Sequence, residues 1–188
     1  MDDRVFNTLR EMLTERDVKG DTFEPVTPAM DETRMYMFGG VLIIYSTKTR
    51  VLTNEFNNFI AFAKDNGHTS GLIIISESTT SEKVLGALIK HISDRENPLV
   101  QMFLMNTLFF NISKHQLQPR MRILKDQERT ELAKKYPELE QLPHIASQDA
   151  MAKYLGARPG DVIEIVGMCE ASGENKRWRI CVAESTNG

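Results

Sequence analysis

The chain has 188 residues, 41% hydrophobic and 26% charged, a balance that builds a folded core and excludes disordered, collagen-like and low-complexity chains. Its formal net charge is −3, from 23 basic and 26 acidic side chains, so it lacks the basic footprint of a protein that grips nucleic acid unaided. The longest apolar runs, such as Val41–Tyr45 and Leu72–Ile75, fall far short of the roughly 18 residues of a membrane span.

The opening Met1-Asp2-Asp3-Arg4 is acidic and has no apolar h-region, so no secretory signal is expected. Residues 4–16 carry Val5, Leu9, Met12 and Leu13 at helical spacing, and Lys19-Gly20-Asp21 ends that helix. Glu24-Pro25-Val26-Thr27-Pro28 reads as loop or extended chain around its prolines. Met35–Phe38 and Val41–Tyr45 flank Gly39-Gly40, the signature of a two-residue hairpin whose turn needs positive φ at both central positions. A phosphate-cradling loop is the sharper reading of Gly39-Gly40, but neither a helix start nor a lysine follows it. Asn54 is placed to cap a helix bearing Phe56, Phe59, Ile60 and Ala63, which Asn66-Gly67 stops. Leu72–Ile75 is a second buried strand. Thr79-Thr80-Ser81-Glu82 has capping-box spacing, with Thr79 as cap, before the stripe Val84, Leu85, Leu88, Ile89 and Ile92. Beyond Pro98 come two further apolar runs, Leu99–Met105 and Leu108–Ile112. The order helix, hairpin, helix, strand, helix, strand predicts an α/β layer structure with right-handed crossovers.

From residue 113 the texture changes. Residues 1–110 hold 11 basic and 15 acidic side chains, whereas residues 111–188 hold 12 and 11. The expected division is into domains 1–112 and 113–188. Lys114–Pro119 is polar and bounded by proline. Asp126 is placed to cap a helix running to Tyr136, with Leu132, Tyr136 and Leu139 as its apolar stripe. Gln141–Ile145 is extended around Pro143, Ser147 caps a short helix with Met151, Tyr154 and Leu155, and Gly156 suits its C′ position. Arg158-Pro159-Gly160-Asp161 is a turn with Pro and Gly at its central positions. The strand Val162–Val166, a small-residue loop Glu170–Asn175 and the strand Arg177–Val182 complete a compact α+β unit that a partner surface would help to stabilise.

An α/β scaffold of this kind can host a magnesium nuclease, which needs carboxylates on adjacent strand ends and a nearby lysine. The strand Leu72–Ile75 instead runs into Ser76-Glu77-Ser78, and the hairpin strand into Ser46-Thr47-Lys48. Asp17-Val18-Lys19 and Glu174-Asn175-Lys176 match the tripeptide but fall at a helix end and in a loop, so no catalytic residue is assigned. Cys169, Cys181, His115 and His144 lack zinc-ligand spacing, which leaves no metal site, no disulfide framework and no cofactor; reduced thiols in an intracellular protein are the expectation. His91 falls within a helix, and Ser76, Ser78 and Ser81 lack a nucleophile elbow. Met35, Met37, Met102 and Met105 sit in strand patterns and read as core filler. Thr79-Thr80-Ser81 offers hydroxyls and free N–H groups at a helix start, where they either contact phosphate or simply cap.

The second part also resembles a known family. Ile112-Ser113-Lys114-His115-Gln116-Leu117-Gln118-Pro119, then Gln141-Leu142-Pro143-His144-Ile145, Asp149, Tyr154–Ile165 and Arg179 are similar to the assembly domain of the fifth subunit of DNA-dependent RNA polymerases, which is shared by the three nuclear enzymes and has an archaeal counterpart. The resemblance implies a non-catalytic subunit whose C-terminal domain docks on the largest subunit. The implied interface residues are His115, Leu117, Pro119, Gln141, Leu142, Pro143, Asp149, Gly156, Pro159, Gly160, Asp161 and Arg179. It further implies an N-terminal jaw, an inactive restriction-endonuclease-like fold, bordering downstream duplex DNA with Thr79, Thr80 and Ser81 facing it weakly within the assembly. No membrane partner is implied, and the location is the nucleus, or a virion or cytoplasmic viral factory for a virus-encoded polymerase. The chain departs from the family at Met121 in place of a histidine, at Asp149-Ala150 in place of Asp-Pro, and across Gly167–Gly173, where an arginine and a threonine are lost. These departures leave a free-standing adaptor as an alternative, with the magnesium nuclease behind it.

Overall fold

The computed structural model describes residues 2–27, 30–48, 50–68, 70–169 and 173–183. Two compact units emerge, Met1–Asn111 and Ile112–Gly188.

The first unit is built on a five-stranded sheet in the order β1-β2-β3-β4-β5. Helix α1 (Asp3–Glu15) begins where the Asp2 carboxylate accepts the Arg4 N–H at 2.9 Å, and it buries Val5, Leu9, Met12 and Leu13. Strand β1 (Glu24–Val26) pairs antiparallel with β2 (Thr33–Phe38), so the proline-bounded segment is an edge strand up to Val26, while Pro28 lies outside the described residues. The hairpin from β2 into β3 (Val41–Ser46) turns at Gly39 and Gly40, with φ of 54° and 87°. Only a residue without Cβ adopts both angles freely. All six residues of β3 are buried because both faces of the strand are covered.

Helix α2 (Thr53–Asp65) then leads to β4 (Leu72–Ser76), and α3 (Glu82–Ser93) to β5 (Val100–Leu104). Strands β3, β4 and β5 run parallel, with Ile44 opposite Ile74 and Ile74 opposite Met102. The two helices are the expected crossovers. Phe56, Phe59, Val84, Leu88 and Ile92 pack on Leu42, Ile44, Leu72, Ile74 and Met102, each such buried side chain contributing roughly 1.5–3 kcal/mol. Phe6 of α1 meets Tyr36 edge-on at 5.0 Å. Tyr36 points to the opposite face of β2 from Met35, so α1 covers the other side of the sheet.

Several local expectations are corrected. Helix α2 starts after Leu52, not Asn54, because Glu55 reaches back to accept the Leu52 N–H at 2.9 Å. Helix α3 starts after Ser81, which places Glu82 in the first helical position; Thr79 does not cap it. Met105 belongs to a 3-10 turn, Met105–Leu108, rather than to a strand, and of the run Leu108–Ile112 only its first and last residues are in such turns, the second being Ile112–Lys114.

The second unit holds a four-stranded sheet in the order β6-β8-β9-β7. Its elements are β6 (Arg120–Ile123), α4 (Asp126–Lys135), a 3-10 turn (Leu139–Gln141), β7 (His144–Ala146), α5 (Ala150–Leu155), β8 (Val162–Cys169) and β9 (Gly173–Val182). Ile145, Ala152, Ala157, Ile163 and Cys181 form one small core and Leu124, Leu132 and Val162 another. Asp126 is the first helical residue of α4 and Lys125 its cap, since Glu128 accepts the Lys125 N–H at 3.0 Å. Asp149, not Ser147, caps α5: its Oδ1 accepts the N–H groups of Met151 and Ala152 at 2.9 and 3.2 Å. Ser147 is buried, and its hydroxyl donates to the Ala183 carbonyl at 3.1 Å. Glu174-Asn175-Lys176 lies in β9 rather than in a loop, because the β8–β9 ladder runs out to the pair Cys169–Gly173. Residues 170–172 of the expected loop and the Cys169 thiol lie outside the described residues. Among the described residues no helix is long and apolar enough to cross a membrane.

Candidate functional site

In the second unit, α5 packs by β6, on the sheet face that carries Ile163 and Ile165, and the β9 edge of the sheet is left open. The outcome is a groove of about 710 Å³. Its apolar surface comes from Met121 on β6, Ile145 on β7, Met151 on α5 and Ile165 on β8, with Pro119, Leu142, Pro143, Tyr136 and Trp178 around it. Tyr136 and Trp178 stand with ring centroids 6.0 Å apart. The polar members are Gln118, Asp149, Lys176, Arg177 and Arg179. This mix of apolar floor, aromatic wall and convergent charges is what a protein-docking surface needs and is poor in groups for bond-breaking chemistry.

Three of the charged groups are engaged. Asp149 holds the start of α5, Arg179 donates to the His144 carbonyl at 3.2 Å, and Lys176 approaches Glu164 at 4.0 Å. Arg177 is exposed and finds no carboxylate among the described residues. Behind the sheet, Arg122 contacts both Glu164 and Glu128. That contact and the Lys125 N–H lower the Glu128 carboxyl to about 2.

Of the residues expected at a subunit interface, Pro119, Leu142, Pro143, Asp149 and Arg179 line this groove. Gln141 is exposed in the adjoining turn, its amide donating to the Glu138 carboxylate. His115 and Leu117 sit in an exposed turn where the Leu117 N–H donates to His115 Nδ1 at 3.2 Å; neither lines the groove, and Leu117 is 80% exposed. Gly156, Pro159, Gly160 and Asp161 form the turn between α5 and β8. There Asp161 accepts the Arg158 N–H at 2.7 Å, and its carbonyl accepts the Cys181 N–H at 2.7 Å. Sequence reasoning missed Met121 as a groove residue, and with it Met151, Ile165, Lys176, Arg177 and Trp178. Arg177 was findable, since period-two alternation in a strand puts it on the face of Arg179.

In the first unit, Thr79 is exposed, Thr80 is half-buried, and Ser81 precedes α3 without using its hydroxyl as a cap. Beside them, at the end of β4, Glu77 accepts a hydrogen bond from the Tyr45 hydroxyl at 2.6 Å. That bond, reinforced by burial and by the charge of Glu77, pushes the Tyr45 hydroxyl up to about 12. Lys48 at the end of β3 pairs with Glu55 at 2.5 Å. Asp17 stands past the end of α1, exposed, with φ of 60°, and Glu174 pairs with Arg120 at 3.1 Å. Among the described residues no three His, Cys, Asp or Glu side chains gather as a metal site.

A small mixed α/β unit with an apolar groove flanked by basic side chains is the class of module that fold and site define. Residues 110–181 match the family model described as RNA polymerase Rpb5, C-terminal domain. The chain is 43% identical over 76 residues to the DNA-directed RNA polymerase subunit Rpo5 of Thermococcus kodakarensis, covering 40% of this chain and 93% of that one. A Dictyostelium discoideum relative, subunit rpabc1 of DNA-directed RNA polymerases I, II and III, is 24% identical over 191 residues, 95% of this chain and 96% of that one. Subunit 5A of the Arabidopsis thaliana DNA-directed RNA polymerase V is 31% identical over 126 residues, 66% of this chain but only 54% of its own length. The chain belongs to the Rpb5 family of RNA polymerase subunits.

Proposed function

We propose that the chain is a non-catalytic subunit of a multisubunit DNA-dependent RNA polymerase. Its C-terminal unit docks on the largest subunit through the groove, and its N-terminal unit is a jaw alongside downstream duplex DNA. The observation that carries the reading is the convergence of Pro119, Leu142, Pro143, Asp149 and Arg179, distant in sequence, on one groove within the segment that matches the family.

The jaw reading rests on the mixed sheet of the first unit, an antiparallel hairpin joined to three parallel strands with two crossover helices. That arrangement supports an inactive restriction-endonuclease-like scaffold. The carboxylate nearest the end of β4, Glu77, is committed to Tyr45, and Asp17 and Glu174 are used or placed elsewhere. The excess of acidic side chains over residues 1–110, 15 against 11 basic, suits a surface past which DNA slides, the affinity belonging to the assembly. Thr79, Thr80 and Ser81 are the DNA-facing contacts in this reading, and the nucleus is the location.

Tagged full-length chain is expected to copurify with the largest polymerase subunit, and deletion of residues 113–188 to abolish incorporation. Recovery only as free protein would overturn the reading. Cleavage of duplex DNA in magnesium, lost in Asp17→Ala, would replace it with the nuclease.

A further inference from the structure

Strand β9 is much longer than its neighbour β7. Only Ile180, Cys181 and Val182 pair with β7, so from Gly173 to Arg179 the side of β9 away from β8 has no strand partner among the described residues. The direction of the backbone groups follows from the ladder. The Cys181 N–H donates to Asp161 at the start of β8, whereas the Ile180 N–H donates to Pro143 on the β7 side. Alternation along an antiparallel strand then turns the N–H and C=O of Glu174, Lys176 and Trp178 outward, and those of Asn175, Arg177 and Arg179 toward β8. An open edge of this kind is a template for another strand.

The groove wraps this edge. Lys176 and Trp178 lie on it, Pro143 marks the point where β7 leaves it, and the exposed Arg177 has no carboxylate partner among the described residues. The charged groups contributed by β9 to the groove are Lys176, Arg177 and Arg179, while the one carboxylate of the lining, Asp149, is bound to backbone N–H groups. The available charge is therefore positive.

The geometry points to docking by strand addition: an extended segment of the largest polymerase subunit lies along Glu174–Trp178, continues the sheet beyond β7, and carries an acidic side chain to Arg177. This deepens the proposed function and rests on it. Main-chain bonds supply affinity, and the apolar and cationic pockets select the segment.

The test uses the full chain, free and assembled with the largest subunit. In the assembly, amide hydrogen exchange at Glu174, Lys176 and Trp178 is expected to slow at least about tenfold, as for amides newly paired in a sheet. Lys176→Pro removes one outward N–H and leaves the β8 ladder whole, a position where an edge strand tolerates proline. It is expected to weaken retention of the subunit at least about tenfold beyond Lys176→Ala, which loses the same charge but keeps the N–H, and Arg177→Glu to weaken it at least about tenfold beyond Arg177→Lys, which keeps the charge. A folded Lys176→Pro that assembles like Lys176→Ala overturns the inference, as do edge amides that exchange equally fast in the free and assembled chain. Slowing of the same amides in the free chain as its concentration rises also overturns it, in favour of self-pairing. If Lys176→Pro fails to fold, the wild-type exchange comparison decides. Normal assembly without edge protection rejects strand addition alone, whereas failure of wild-type chain to assemble rejects the function as well.

Discussion

Arg122 on β6 stands directly opposite Glu164 on β8, and its guanidinium lies 2.9 Å from that carboxylate. The Glu164 side chain is only 8% exposed, and the same guanidinium reaches Glu128 at the start of α4 at 2.7 Å. One side chain thus ties an edge strand, a central strand and a helix. Arg122→Met would leave a buried carboxylate with Lys176, 4.0 Å away, as its one cation among the described residues. A loss of about 2 kcal/mol is expected, the scale of a charged hydrogen bond removed from a buried partner. Urea unfolding measures it. Because replacing both partners of a buried pair removes the stranded charge, Arg122→Met with Glu164→Leu is expected to recover much of the loss. A double variant no better than the single one would show that the pair acts through something other than charge.

Asp149 faces the groove and caps α5 with one carboxylate oxygen, and these two roles can be separated. Asp149→Ala removes the cap and is expected to lower stability by about 1 kcal/mol. Asp149→Asn keeps an acceptor oxygen and is expected to stay close to wild type. Thermal unfolding of both variants reads the cap. Weaker assembly of the stably folded Asn variant with the largest subunit would then report the charge alone.

Gly39 is fixed by two independent constraints. Its φ is 54°, and a Cβ built there would stand 2.3 Å from the Lys19 carbonyl oxygen. Gly67, at φ of 70°, has open space around it. Gly67→Ala is therefore expected to cost only the left-handed strain, about 1 kcal/mol. Gly39→Ala adds a backbone clash and is expected to cost at least about 3 kcal/mol. Denaturant midpoints of the two variants measure the difference; equal losses would mean that the Lys19 segment moves aside freely.

These pairs show where sequence is readable. Hydrophobic period alone gave the faces of α1, α2 and α3 and the fully buried β3 and β4, because burial enforces period over many residues at once. Gly39-Gly40 was readable because few conformations suit two adjacent glycines between strands. Helix starts were not, because Glu55 and Glu128 close theirs from the third helical position while Asp149 closes its own from the cap. Which of several polar residues takes that role depends on where the preceding chain arrives. Met105 read as part of a strand for a related reason: the end of a short apolar run fits a turn packed on a core as well as a strand. In the groove, proline and glycine landmarks were legible through family resemblance. Met121, Met151 and Ile165 were not, since only the order β6-β8-β9-β7 brings them to one face.

Tyr45 and Glu77 offer a pH test of the first unit. The Tyr45 ring is buried on β3, and its hydroxyl donates to Glu77 beyond β4, so the bond ties adjacent parallel strands at their C-terminal ends. Hydrogen bonding to Glu77, burial and the carboxylate charge raise the Tyr45 pKa from 10.0 to about 12. A raised folded-state value means that the folded chain holds this proton more tightly than the unfolded one. The stabilisation is therefore complete below pH 10 and is lost as pH rises through about 12. Tyr45→Phe is expected to lower stability by about 1 kcal/mol at neutral pH, one hydrogen bond to a carboxylate that can turn to water. Subtracting the alkaline absorbance titration of Tyr45→Phe from that of wild type isolates one phenol, expected to ionise near pH 12. Glu77→Gln removes the charge and is expected to bring that step down toward 10.0. A wild-type step already at 10.0 would mean that Glu77 does not hold Tyr45 in solution and is available for other partners.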